Sequence, residues 1–108
     1  MTGNRLAYIW AFEVKSGREA DFERAYGPDG DWVTLFRRAP GYLHTELLRD
    51  TENPRRYLTI DHWESAAAQR VFRKQFAAEF AAIDRACEQL TESETLIGHF
   101  TLATRMED

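Results

Sequence analysis

The stretch 56–65, Arg-Tyr-Leu-Thr-Ile-Asp-His-Trp-Glu-Ser, constrains the fold of this chain more than any other. It starts as an alternating run rich in β-formers, which puts Tyr57, Thr59, Asp61 and Trp63 on one strand face. Leu58, Ile60 and His62 take the other face. Ser65 then stands where a helix can begin, because its hydroxyl can accept a hydrogen bond from an otherwise orphan backbone N–H. From there Phe72, Phe76, Phe80, Ile83, Cys87 and Leu90 recur every three or four residues, one continuous apolar stripe. The spacing predicts a helical pattern over 65–90 and leaves open whether it bends or breaks near 75–78. The strand therefore delivers a large aromatic, Trp63, to the corner where sheet meets helix, a place where small-ligand pockets form.

The remaining segments fall into place around this unit. In Leu6–Val14 the residues Leu6, Tyr8, Trp10, Phe12 and Val14 alternate with Ala7, Ile9, Ala11 and Glu13. With so little polarity on either side, this strand is expected at the centre of a sheet. Ser16 and Glu19 have the spacing of a capping box, and a helix carrying Phe22 and Tyr26 follows. Gly27-Pro28-Asp29-Gly30 ends it. Asp31 is the expected cap of a short second helix with Val33, Leu35 and Phe36. Tyr42–Arg49 reads as a strand with Tyr42, His44, Glu46 and Leu48 on one face, joined to the next strand through a polar loop at 50–54. Residues 94–104 read as the last strand, with Leu96, Gly98, Phe100 and Leu102 opposite Ile97, His99 and Thr101.

The order β-α-β-β-α-β predicts an α+β, ferredoxin-like arrangement over residues 1–108: a four-stranded antiparallel sheet with helices on one face. A chain of 108 residues suffices for one domain with a modest core. Large apolar groups also occupy the other sheet face, and so small a domain should not leave them wet. A second copy packed sheet to sheet is the simplest cover, so a homodimer is expected. A net charge of -4, spread along the chain, implies no basic surface for nucleic acid. The single cysteine excludes an intrachain disulfide and a Cys-rich metal site. No apolar run is long enough to span a bilayer, so a cytoplasmic protein without membrane partners is expected.

Val14-Lys15-Ser16-Gly17-Arg18-Glu19 at the first strand–helix junction, Ala39-Pro40-Gly41-Tyr42 opening the second strand, and Ile60-Asp61-His62-Trp63-Glu64-Ser65 closing the third stand out. In these three elements the chain resembles the antibiotic biosynthesis monooxygenase family of the dimeric α+β-barrel superfamily. The resemblance implies a dimeric α+β barrel. It also implies chemistry of two kinds. Some members oxidise phenolic polyketide precursors to quinones with O₂ and neither metal nor flavin. Others degrade haem, held by an axial histidine on the second long helix, with an asparagine in the first strand. Here 65–90 holds no histidine and Leu6–Val14 no asparagine, so haem degradation ranks last. What remains is a cofactor-independent monooxygenase acting on a small aromatic or polyketide-like substrate. The alternative is a non-catalytic binding or dimerisation module of the same fold.

Trp63 matches the family's tryptophan at the end of the third strand, and could stack on a flat substrate. Tyr8, Trp10 and Phe72 are the further candidates to line the cleft. For each of these rings, packing in the core is the plainer role. Activating a phenol needs a base, since a phenolate gives an electron to O₂ far more readily than a phenol. His62, His44 and Glu46 are the candidates, histidine because it titrates near working pH. Asp61, like Glu46, falls on a face that should be partly buried, where a carboxylate can orient a histidine or take a proton itself. The plainer reading pairs these acids with Arg49, Arg56 or another arginine. The spacing of His44, His62 and His99 does not spell a metal site. Cys87 falls on the apolar stripe and should be inert.

Overall fold

A computed structural model describes residues 5–104. Strand β1 (Leu6–Val14) is followed by helices α1 (Glu19–Tyr26) and α2 (Asp31–Phe36). The hairpin β2 (Tyr42–Arg49) and β3 (Arg56–Trp63) comes next, then α3 (Ala66–Gln75), α4 (Ala77–Cys87), a 3₁₀ turn at Glu88–Leu90 and β4 (Thr91–Thr101). The sheet is antiparallel throughout, in the order β2-β3-β1-β4. The ferredoxin-like order expected from the sequence is therefore present, with β1 inside the sheet.

The helices cover one sheet face, and β3 shows why. Tyr57, Thr59, Asp61 and Trp63 are buried there, while Leu58, Ile60 and His62 on the other side are only half-buried. Phe22 of α1 anchors the core, stacked on Tyr26 at 4.2 Å between ring centroids and tilted against Phe12 and Tyr57. The Tyr57 hydroxyl donates to Glu23 Oε2 at 2.5 Å, which ties α1 to β3. At the other end, Trp63, Phe36, Phe72 and Tyr42 pack ring to ring with centroids 5.1–5.7 Å apart. Gly41 is obligatory at this end. Its φ is +91°, and a Cβ there would stand 2.6 Å from the Ala68 Cβ of α3.

Among the local expectations the Ser65 cap holds and others need correction. Ser65 caps α3, accepting from the Ala68 N–H at 3.1 Å. Ser16 caps nothing: Arg18 is the N-cap of α1, and Ser16-Gly17 forms a tight turn with Gly17 at φ +84°. Gly30, not Asp31, is the N-cap of α2. The long helix breaks at Phe76, whose φ and ψ of -114° and 29° are not helical, so the apolar stripe runs over two helices. Phe76 and Phe80 end up half-buried rather than at the centre of the core.

The sheet has three register shifts, one of them at Glu13/Val14 opposite the start of β4, and the other two decide which side chains share a face near the site. The β2–β3 register slips between Tyr42 and His44, which puts Tyr42 opposite Trp63 instead of on the His44 side. On β4 the register slips at Ile97. Leu96 pairs with Trp10 and so faces the helices, whereas Gly98 pairs with Ile9 and Phe100 with Ala7 on the open face. That face presents exposed Leu48 and Phe100 beside Ile9, Leu58 and Ile60. No helix among the described residues is long and apolar enough to cross a membrane.

Candidate active site

Between the helix-covered sheet face and α2–α4 lies a cavity of about 250 Å³, partly open to solvent. This is close to the size of small-ligand clefts, which run from roughly 300 Å³ upward. Aromatic side chains make most of its wall. Tyr8 and Trp10 enter from β1, Trp32 and Phe36 from α2, Trp63 from β3 and Phe72 from α3. Arg73 stands at the rim with its guanidinium 4.0 Å above the Phe80 ring.

Three acids, Asp61, Asp84 and Glu94, border the cavity, and of these only Asp61 is buried. Asp61 is only 8% exposed, and it borders the cavity two residues before Trp63 on the same strand face. Its Oδ1 accepts a hydrogen bond from the Thr45 hydroxyl at 2.8 Å. With the Thr45 proton committed, the Tyr42 hydroxyl, 2.7 Å from Thr45 Oγ1, donates to it in turn. Tyr42 is suited to stay a neutral donor, because burial raises its phenol above the ordinary value. No arginine or lysine pairs with Asp61 among the described residues. Burial therefore dominates its titration and pushes its pKa up to about 6, against the smaller opposing pull of Thr45 and of nearby His62. An aspartate tuned this way can accept a proton near neutral pH. Gln69, also buried, supplies a neutral amide to the same wall. Trp32 has a buried Nε1–H with no hydrogen-bond partner.

The structure divides the residues singled out from the sequence between two sides of the sheet. Trp63, Tyr8, Trp10 and Phe72 come together around the cavity. His44, Glu46 and His62 stand on the opposite, open face, where Glu46 Oε1 lies 3.0 Å from His62 Nε2. None of these three reaches the cavity, since side chains one residue apart on a strand point to opposite faces. His99 sits across from Tyr8 with ring centroids 4.0 Å apart, but does not line the cavity. The parity of β3 already held the signal for Asp61: a strand that turns Trp63 toward a ligand also turns Asp61 toward it, and turns His62 away. Gln69 precedes Phe72 by three residues and so shares its helix face. Trp32 gave no such signal, because nothing in its short helix says what lies opposite.

Comparison with known proteins agrees with this architecture. Superposition on a variant of SnoaB, a cofactor-independent oxygenase from Streptomyces nogalater, gives a TM-score of 0.81 at 23% identity, covering 98% of this chain and 100% of the other. A putative antibiotic biosynthesis monooxygenase from Bordetella bronchiseptica superposes with a TM-score of 0.72 at 25% identity, over 94% of this chain and 99% of that one. In sequence, the chain is 32% identical over 65 residues to a 42.8 kDa protein of the whiE locus of Streptomyces coelicolor. It is 30% identical over 64 residues to the protein SchA of Streptomyces halstedii. These matches take in 60% and 59% of this chain but only 16% of either relative. Residues 6–86 match the family model described as antibiotic biosynthesis monooxygenase. With three quarters of its length accounted for in this way, the chain belongs to the antibiotic biosynthesis monooxygenase family.

Proposed function

We propose that the protein is a cofactor-independent monooxygenase that oxidises a small, flat phenolic or anthrone-type substrate with O₂ in the cavity beside Trp63. The observation that carries this reading is Asp61, the one buried acid of a mostly aromatic wall, with no ion-pair partner among the described residues. Aromatic rings hold a planar substrate by stacking and exclude water. Asp61, held by Thr45, takes the acidic proton of the substrate. The resulting anion gives one electron to O₂, and the radical pair joins into a peroxide. Loss of water from the peroxide leaves a new carbonyl. One substrate CH₂ and one O₂ thus become C=O and H₂O, with no outside reductant. The likeness to an enzyme described as a cofactor-independent oxygenase supports the same chemistry.

The test is oxygen uptake with an anthrone-type substrate in the parent and in Trp63→Phe. Trp63 is fully buried, at 1% exposure, against Phe36, Tyr42 and Phe72. Phenylalanine keeps most of the apolar volume, so the melting point should fall by the equivalent of about 1–2 kcal/mol. Turnover per folded molecule should fall well beyond that. Binding of such molecules without any oxygen uptake by the parent would instead favour a non-catalytic binding module.

The same reading includes a homodimer. The open sheet face, with Ile9, Leu48, Leu58, Ile60 and Phe100, is an apolar surface that a second copy would cover. A stable interface there should bury more than about 1,000 Å² in total. Sedimentation at micromolar concentration should show a dimer. A monomer under those conditions counts against the second copy but leaves the cavity untouched.

A further inference from the structure

The open sheet face carries a polar cluster that the oxygenation chemistry does not use. His44 on β2 lies directly across from His62 on β3 in the strand register. Their imidazoles stack, with centroids 4.3 Å apart and planes inclined by 20°. Glu46, two residues along β2 and so on the same face, brings Oε1 to 3.0 Å from His62 Nε2. One ligand atom from each of the three residues lies within 4.8 Å of the other two.

We infer that His44, His62 and Glu46 bind one divalent transition-metal ion, of which zinc is the simplest example. Imidazole nitrogen and carboxylate oxygen are a donor set that zinc accepts, and three protein ligands leave a position for water. With bonds of about 2.0–2.2 Å, tetrahedral ligand atoms stand about 3.3–3.6 Å apart. The present separations, up to 4.8 Å, would have to close to that range by rotation of side chains whose Cα positions the β2–β3 ladder holds side by side. Cross-strand partners have Cβ atoms about 4.5–5.5 Å apart, which suits adjacent positions on one ion. The ion would take the place of the Glu46–His62 hydrogen bond and would clamp β2 to β3. Linear spacing hid this arrangement, since His44 and His62 are far apart in sequence and only the hairpin register brings them together.

The site is on the far side of the sheet from the cavity. The ion is thus no cofactor of the proposed oxygenation, and the inference does not rest on that chemistry; the cluster does lie on the face that the proposed second copy would cover, so sedimentation accompanies the titration.

The test is calorimetric titration of the chelator-stripped full chain with Zn²⁺, paired with thermal melts. The expected result is saturable uptake of one ion per chain in the micromolar range, with a higher melting point in zinc. His44→Ala and His62→Ala should each weaken uptake by about tenfold or more. His99→Ala should leave it unchanged. His44 is exposed and His62 partly so, which lets both variants fold; circular dichroism verifies this. The inference is overturned if the parent shows no saturable uptake up to submillimolar zinc, or if neither alanine variant at His44 or His62 weakens it.

Discussion

Asp61→Asn is expected to move activity and stability in opposite directions. The amide cannot take the substrate proton, so turnover should fall by about 10²–10⁴, the range of a lost general base. Stability should rise at neutral pH. In the folded chain the pKa of Asp61 stands at about 6 instead of 3.8, so holding it ionised costs folding free energy. That cost is absent below the unfolded value, builds as pH rises from 3.8 to about 6, and is constant above. At 1.36 kcal/mol per pKa unit, the difference amounts to about 3 kcal/mol as an upper figure. Asparagine avoids the cost and still offers an oxygen to Thr45. Melts at pH 8 should therefore favour the variant, and the advantage should shrink toward pH 4. A less stable variant at pH 8 would mean that Asp61 is held by a favourable partner. Unchanged turnover per folded molecule would remove it from the chemistry.

Phe22→Ala should produce the largest loss of stability, about 3–5 kcal/mol. Phe22 is 0% exposed and fills the junction of α1 with β1 and β3, touching Phe12, Tyr26 and Tyr57. Its removal leaves a void that these rings, held by strand and helix, cannot easily fill. Phe22 does not line the cavity, so turnover per folded molecule should change little. Chemical denaturation gives the stability and oxygen uptake the activity. A loss below about 1 kcal/mol would mean that α1 packs differently. Phe76→Ala and Phe80→Ala should cost less, because both rings keep part of their surface in water.

Much of this architecture is legible in the sequence where a single physical rule acts alone. Alternation along 56–63 separated the buried set of β3 from the open set, and the Ser65 cap marked the start of α3. The break of the long helix fell within 75–78, where the stripe itself gave no sign of it, at Phe76. Sequence pattern and structure part where two rules compete. The Ser16–Glu19 pair has capping-box spacing, but Gly17 takes a left-handed turn that moves the helix start past it. Irregularities in β2 and β4 reset the alternation after Tyr42 and at Ile97, and Gly98 beside the second, an isolated glycine in a strand, is the kind of residue that marks a bulge. The candidate site was legible in part. The rings of Trp63, Tyr8, Trp10 and Phe72 share a cavity because strand parity and helix phase are local properties. His44 and His62 stand out by residue type alone, whereas burial pushes Asp61 up to about 6, and burial is a property of the assembled fold.

Diffraction from crystals soaked with a polycyclic phenol under anaerobic conditions tests most directly whether the cavity is the reaction site. The ring system should lie between sheet and helices, against Trp63, with its hydroxyl within hydrogen-bond distance of the Asp61 carboxylate. A phenol bound on the open sheet face, beside His44 and His62, would contradict the assignment, as would a cavity left empty at saturating phenol.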